Sequence, residues 1–252
     1  FKKFETKQIS KSRPIKKQIT KEQTVKEKSI KEKVVKEKAV KEKLVKSVKE
    51  LTQMVSGEVE WKDNYVMFYS RSKIFKESGK EKIDIKYLSN FHKIDGGVTI
   101  DGDTFPTIEH YFQAMKYKPE HQLAVNNKLS KEYNKFLLGG DYDLTVSKNN
   151  LWGKTAKSKG GKAHMNKLGL TLNNSAWTMN RVDIMRKAIK SRYEQDEKFK
   201  DMLNELFLRG KVLFHFEKSS KSFWGGVRPA SLGGKWVGGN KLGEIINELK
   251  DI

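Results

Sequence analysis

The chain contains no cysteine, few prolines and no long apolar run, and each absence excludes a class of protein. Without cysteine it can form neither a disulfide nor a thiolate metal site. Its histidines also lack the HxH or HxxxH spacing of a zinc site; they are His92, His110, His121, His164 and His215. We therefore expect no metal ion.

A membrane span would need about 18 consecutive apolar residues, and no such window exists. The N-terminus is charged throughout and does not follow the pattern of a secretory signal. We therefore expect an intracellular protein with no membrane partner, in the cytoplasm or alternatively in the nucleus.

The net charge of +21 is concentrated at the N-terminus. Residues 1–50 carry 18 Lys and Arg against 7 Asp and Glu, which is about half of the excess. Within them the run VKEKSIKEKVVKEKAVKEKLV repeats every five residues. That step turns an α-helix by roughly 140°, so its valines form no continuous apolar face. We expect residues 1–60 to be a disordered low-complexity arm, which is either an inert tail or a basic arm that binds nucleic acid.

Residues 61–252 have the pattern of one α+β domain, mostly helical, with a small antiparallel sheet. Strands are predicted at YVMFYS (65–70) and KVLFHF (211–216), and a hairpin at VTIDGDTF (98–105). Helical periodicity covers 107–118, about 121–138, 178–194, 196–209 and 240–250. The segment 139–176 is predicted to be a long loop with short helical pieces. Because strands and helices do not alternate, a Rossmann-like sheet is disfavoured.

The stretch PTIEHYFQAMKYKPE (106–120) predicts an amphipathic helix capped by Thr107. Its apolar stripe follows helical spacing and consists of Ile108, Tyr111, Phe112 and Met115. Beside it, Glu109, Gln113 and Lys116 form a polar stripe at the margin of the buried face. Spacing alone leaves two interpretations open, a solvated helix flank or the wall of an active site.

The stretch SKSFWGGVRPASLGGKWVGGNKLGEII (220–246) is rich in glycine and leads into a predicted helix at Asn240. Free backbone N–H groups at such a turn suit a phosphate, and a structural loop capped by Asn240 is the alternative. Four tryptophans lie in or near loops, where an indole can stack on a base or simply pack; they are Trp152, Trp177, Trp224 and Trp236.

Several motifs, taken in chain order, carry a family resemblance. They are FYS (68–70), LSNF (88–91), IDGDTFPTIEHYFQAMKY (100–117), Trp177 with RVDIMRKAI, FWGG (223–226) and GGNKLG (238–243). Over about residues 61–252 the chain resembles the NADAR family, the YbiA-like N-glycosidases. The resemblance implies a helix-rich α+β fold that needs no cofactor. It also implies hydrolysis of the N-glycosidic bond between a ribose 5-phosphate moiety and a base-like amine.

Members of that family act on ribosylamino-pyrimidine phosphates, the first riboflavin-pathway intermediates, or on ADP-ribosylated guanine in nucleic acid. The resemblance thus implies a small-molecule ribosyl phosphate or an ADP-ribosyl group as the substrate of this chain.

The resemblance also implies roles for individual residues. Glu109 would stabilise the cation at C1 or protonate the leaving nitrogen, and Lys116 would attack C1 and hold the opened sugar as an imine. The implied substrate-binding residues are Asn90 and Gln113 as donors to ribose hydroxyls, Trp177 or Trp224 for the base, and Gly225, Gly239 and Asn240 around the phosphate turn.

One departure from the family pattern concerns acids. Relatives often carry an acidic residue three places before the Trp of the WG motif and another directly after it, whereas this chain has Lys221 and Gly226. Replacement in space by Asp183, Asp141 or Asp143 is one possibility. The alternative function is a non-catalytic module that binds a nucleotide or ADP-ribose and carries a nucleic-acid-binding basic arm.

Overall fold

The computed structural model describes residues 64–144, 152–228 and 236–252. The arm predicted for residues 1–60, with its lysine repeats, lies outside the described residues. None of the helices in the described ranges combines the length and apolarity that a membrane crossing requires.

The described residues form an α+β domain dominated by helices, which confirms the predicted class. The strands are β1 (Tyr65–Phe68), β2 (Ile74–Phe75), β3 (Ile83–Asp84), β4 (Val98–Ile100), β5 (Asp103–Phe105), β6 (Val212–His215), β7 (Gly226–Val227) and β8 (Val237–Gly238). The α-helices are α1 (Ile108–Ala114), α2 (Lys128–Asn134), α3 (Gly153–Lys159), α4 (Lys162–Lys167), α5 (Asn174–Gln195), α6 (Glu197–Leu208) and α7 (Lys241–Asn247). Turns of 3-10 helix cover Ile85–Leu88, Met115–Tyr117, Pro119–His121 and Glu248–Asp251.

The strands pair two by two. β2 with β3, β4 with β5 and β7 with β8 are antiparallel, and the β4–β5 pair is the hairpin predicted over 98–105. The β1–β6 pair is parallel, with Tyr65 opposite Val212 and Phe68 opposite His215, so the predicted antiparallel arrangement is wrong for this pair. The chain returns to β6 only after passing through α1 to α6, and a long crossover of that kind is what joins parallel strands.

The helix predicted over about 121–138 is shorter than its pattern suggests, because the segment after His121 is extended and α2 spans only Lys128–Asn134. The predicted loop 139–176 contains α3 and α4, which are the short helical pieces expected there. α5 begins at Asn174, earlier than predicted, because the Asn173 side chain accepts a hydrogen bond from the Ala176 N–H and caps it.

The free edge of β6 is closed by two asparagine side chains. Asn240, at the start of α7, accepts a hydrogen bond from the His215 N–H (2.8 Å) and donates to the Leu213 carbonyl (3.3 Å). Asn247, at the end of α7, accepts from the Leu213 N–H (2.9 Å) and donates to the same carbonyl (3.1 Å). These amides replace a neighbouring strand, satisfy the backbone groups of the edge and fix where β6 ends.

Helix α1 is buried over its whole length, including its polar residues. It packs against α5 and α3, and two glycines let α3 come close. A Cβ at position 153 would lie 2.9 Å from the Glu109 Cβ, and one at position 160 would lie 2.0 Å from the Gln113 Oε1. The polar side of α1 is therefore covered by a helix that only glycine allows to approach so closely.

We predict that Gly153→Ala destabilises the protein by about 1–3 kcal/mol, because the new methyl group would also lie 2.8 Å from the Phe91 Cα, where backbone must move. This cost outweighs the gain of up to about 1 kcal/mol that alanine gives over glycine within a helix. Urea denaturation of the full chain measures the difference. Ser158→Ala, on the exposed side of the same helix, is the matched control; an equal stability of both variants would contradict the close contact.

Candidate active site

A cavity of about 420 Å³ lies between β1, the turn that follows Leu88, α1, α5 and the end of β6. It brings together six of the residues predicted from the sequence: Asn90, Glu109, Gln113, Lys116, Trp177 and Trp224. Its lining also contains charged and titratable residues that the sequence analysis did not select, namely Lys157, His215, Glu217 and Lys218.

The polar stripe of α1 forms one wall of this cavity. Glu109 is 7% exposed and Gln113 is 5% exposed, so the interpretation of a solvated helix flank is wrong for both. Burial of an acid and an amide on the same helix is costly unless each gains partners or serves a ligand. The stripe therefore lies inside the protein and faces an open space.

Glu109 is held by a neighbour on its own helix. The Gln113 Nε2 donates to the Glu109 Oε1 (2.7 Å), and no cation lies within 4 Å of this carboxylate among the described residues. Burial raises the pKa of Glu109, while the Gln113 hydrogen bond and the charges of Lys157 and Lys116 oppose the rise. A carboxyl group with a raised pKa holds its proton at higher pH and can act as a general acid.

Lys116 follows α1 in the 3-10 turn and extends toward the end of α3. Its Nζ donates to the Gly160 carbonyl (3.1 Å) and lies 5.3 Å from the centroid of the Trp177 ring. Burial lowers the pKa of Lys116, with Glu109 opposing the shift and Lys157 adding to it. A neutral amine can keep the bond to Gly160 and still present its lone pair, which is the state a nucleophilic lysine requires.

Asn90 and Gln113 present unpaired carbonyl oxygens at the cavity, which adds an acceptor role to the donor role predicted for their NH₂ groups. Each NH₂ group donates one hydrogen bond within the protein, that of Asn90 to the Met185 Sδ (3.5 Å) and that of Gln113 to Glu109. The Asn90 Oδ1 and the Gln113 Oε1 are buried and have no partner. Burying an oxygen without a hydrogen-bond partner costs free energy. These two amides are therefore suited to accept hydrogen bonds from hydroxyl or amino groups of a ligand.

The aromatic wall of the cavity is built around Phe112. Its ring centroid lies 4.9 Å from that of Trp177 and 5.4 Å from that of Trp224, and all three residues line the cavity. The other two tryptophans lie outside the lining: the Trp152 Nε1 donates to Asp143, and Trp236 stacks on Phe214. The interpretation as packing residues therefore fits Trp152 and Trp236, and that of an aromatic wall fits Trp177 and Trp224.

The glycine-rich turn does not offer the phosphate donors predicted for it. The Gly225 N–H donates to the Ser222 Oγ (3.1 Å), the Gly239 N–H to the Ser222 carbonyl (2.8 Å) and the Asn240 N–H to the Gly225 carbonyl (3.3 Å). The next two N–H groups, of Lys241 and Leu242, bond to carbonyls of the same segment. Gly225, Gly239 and Asn240 lie outside the cavity lining, and their role is to pack one chain segment against another.

Glu217 is an acid of the cavity that was not selected from the sequence. It lines the cavity two residues beyond β6, and the Ser222 hydroxyl donates to its carboxylate. The three proposed replacements are wrong, because Asp183 and Asp141 are largely exposed, Asp143 is bonded to Trp152 and none of them lines the cavity. The sequence signal for Glu217 is its position directly after the strand predicted over 211–216, because functional residues often lie where a strand passes into a loop.

His215, the last residue of β6, is a second cavity residue that the sequence analysis missed. Its Nδ1 bonds to the Trp224 carbonyl (3.2 Å), which can only accept, so Nδ1 carries the proton of the neutral ring. Burial lowers the pKa of His215, and Glu217 opposes the shift. The imidazole is thus neutral and its Nε2 is an acceptor.

Within residues 64–144, 152–228 and 236–252, no group of three His, Asp or Glu side chains is arranged to hold a metal ion.

Comparison with known proteins gives one family and a small set of relatives. The model of the NADAR domain matches residues 67–252. N-glycosidase YbiA of Escherichia coli (strain K12) is 25% identical over 154 residues, which are 61% of this chain and 74% of that protein. N-glycosidase YbiA of Shigella flexneri matches with the same identity and coverage. The NMR structure of E. coli YbiA aligns with 78% of this chain and 90% of its own, at 23% identity and a TM-score of 0.46.

We predict that Glu109→Gln stabilises the fold at pH 8 and leaves its stability unchanged at pH 4. Burial raises the folded-state pKa of Glu109 above the unfolded value of 4.5, so its contribution to stability is complete below that value and is lost as pH rises through the folded pKa. Glutamine keeps the neutral shape and avoids that loss. Urea denaturation at both pH values measures the change, with exposed Glu120→Gln as control. A variant less stable than wild type at pH 8 would contradict the raised pKa.

Proposed function

The chain belongs to the NADAR domain family, and from that premise we propose that it is an N-glycosidase, a hydrolase of N-glycosyl compounds. The observation that carries the proposal is the placing of Glu109 and Lys116 on one wall of one cavity, each with the pKa shift its role needs. An acid that retains its proton and an amine that loses one are a matched pair for cleaving a C–N bond at a sugar carbon.

The proposed substrate is a ribosyl 5-phosphate-type N-glycoside. Two classes fit this description, the ribosylamino-pyrimidine phosphates of early riboflavin synthesis and ADP-ribosylated guanine. The cavity supports a nucleoside-like ligand because it has an aromatic wall at Trp177 and Trp224 for a base. It also has unpaired acceptor oxygens on Asn90 and Gln113 for ribose hydroxyls.

In the first proposed step, the bond between C1 and the leaving nitrogen breaks while protonated Glu109 gives its proton to that nitrogen. The ring oxygen shares a lone pair with C1, so positive charge develops on the sugar. The Lys116 amine then uses its lone pair to bond to C1. The base leaves as an amine, and Glu109 remains as a carboxylate.

In the second step, the proton on the lysine nitrogen moves to the ring oxygen, the ring opens and C1 is held as an imine. Water adds to C1, and its released proton returns to the Glu109 carboxylate. The proton of the new C1 hydroxyl then passes to the lysine nitrogen as the bond between C1 and that nitrogen breaks, which frees the sugar as an aldehyde and restores Lys116 as an amine. The net reaction adds one water across the N-glycosidic bond.

Glu217 is the second acidic residue of the proposed mechanism, beside Glu109. Because the Ser222 hydroxyl fixes its carboxylate at the cavity, it can stabilise the cation that develops at C1. The lack of acids at positions 221 and 226, together with the basic charge, favours a binding module without catalysis, whereas an acid at 217 in the cavity supports the N-glycosidase. Nucleic-acid binding by residues 1–60 stays a prediction from charge, which salt-dependent binding of single-stranded DNA to the full chain would test.

We predict that the full chain releases free base from a ribosylamino-pyrimidine phosphate, from ADP-ribosylated guanosine, or from both, when each is supplied separately. Lys116→Ala and Glu109→Gln should each lower kcat by about 100-fold or more, since each removes a chemical group from the reaction. Chromatographic detection of the base gives the rate.

The controls for this experiment are Lys131→Ala and Glu120→Gln, which change exposed residues of the same types. Full activity of either cavity variant would remove that residue from the mechanism. Binding of ADP-ribose without release of base from either substrate would replace the N-glycosidase by a binding module.

A further inference from the structure

The proposed substrate carries a phosphate, and in the described part of the glycine-rich turn the N–H groups of Gly225, Gly239 and Asn240 are already bonded within the protein. We propose that Lys157 and Lys218 form the phosphate subsite of the cavity and bind a phosphate on the 5-position of the ribose. This inference rests on the proposed function, because it assigns one part of the same substrate.

Lys157 reaches the cavity from α3. It is exposed, yet it lines the cavity, and its Nζ lies 5.7 Å from the centroid of the Phe91 ring. Its charge acts on both reacting groups, opposing the raised pKa of Glu109 and adding to the lowered pKa of Lys116. No carboxylate within the described residues lies within 4 Å of its ammonium. The ammonium can therefore form an ion pair with a phosphate without breaking one within the protein.

Lys218 reaches the same cavity from the segment after β6. It is exposed and lines the cavity next to Glu217. The Glu217 carboxylate is bonded to the Ser222 hydroxyl, and within the described part of the chain no ion pair joins it to Lys218. Two ammonium groups, from two separate segments, therefore belong to one cavity without carboxylate partners.

The charges of the cavity favour a phosphate at this place. With Glu109 protonated and Lys116 neutral, as the proposed reaction requires, the charged lining residues are Lys157, Lys218 and Glu217. Their sum is positive, and a dianionic phosphate would gain charge-assisted hydrogen bonds from both ammonium groups. Because Lys157 and Lys218 are exposed while Glu109 is buried, the phosphate would lie at the mouth and C1 deeper inside.

Two lysines close by in sequence are suitable controls. Lys154 lies on α3, one turn before Lys157, and Lys221 lies three residues after Lys218. Both are exposed, and neither lines the cavity. They match the subsite residues in type and segment and differ only in whether they reach the ligand.

The test is isothermal titration of the full chain with ribose 5-phosphate and with ribose. Lys157→Gln and Lys218→Gln should each weaken the binding of ribose 5-phosphate by about tenfold or more and leave that of ribose unchanged, because each removes a charge-assisted hydrogen bond to phosphate. Lys154→Gln and Lys221→Gln should change neither. Unchanged binding of ribose 5-phosphate in both cavity variants, or an equal loss in the control variants, would overturn the subsite.

A third arm with ADP-ribose distinguishes the source of the phosphate. A preference for ribose 5-phosphate supports a subsite for a monoester, and an equal or stronger lysine-dependent binding of ADP-ribose supports one for a diphosphate. Binding is measured apart from turnover, so the two proposals fail separately. Lysine-dependent binding without base release would overturn the N-glycosidase alone, and base release without lysine dependence would overturn the subsite alone.

Discussion

The contact between α1 and α3 at Gly153 and Gly160 is the constraint on which the site depends. It removes Glu109 and Gln113 from water although both are polar, and burial is the main cause of the raised pKa of Glu109. The same contact places the Gly160 carbonyl where the Lys116 ammonium or amine can reach it. A larger residue at either glycine would separate the helices and return these groups to solvent. One packing feature therefore buries the acid and provides a hydrogen-bond acceptor for the amine.

The opposite side of the cavity depends on how β6 ends. Asn240 and Asn247 bond to the backbone of Leu213 and His215 and take the place of a neighbouring strand. His215, the last residue of β6, and Glu217, two residues later, both line the cavity at this strand end. In the described part of the glycine-rich segment, the N–H groups of Gly239 and Asn240 donate to backbone carbonyls and that of Gly225 to the Ser222 hydroxyl. Its glycines serve the architecture of the wall, and the exposed lysines at the mouth are left to bind anions.

Much of the fold is predictable because periodicity and capping are local properties. The helix after Thr107, the hairpin around Asp101 and the strands at β1 and β6 follow from short patterns. The parallel pairing of β1 and β6 is a long-range property, and the pattern of either strand alone does not encode its partner. In the same way, the α1 stripe could be identified from spacing, but its burial depends on glycines more than forty residues later. Glu217 could not be predicted because its position at the cavity depends on where the end of β6 lies relative to α1 and α5.

The central claim is that Lys116 forms a covalent imine with C1 of the sugar. Reduction with borohydride during turnover converts an imine into a stable amine, and mass spectrometry of the digested protein locates the added sugar phosphate. The mechanism predicts one adduct, on the peptide that contains Lys116, and none in Lys116→Ala. Continued base release by wild type with no adduct, or an adduct on Lys157 in place of Lys116, would contradict it.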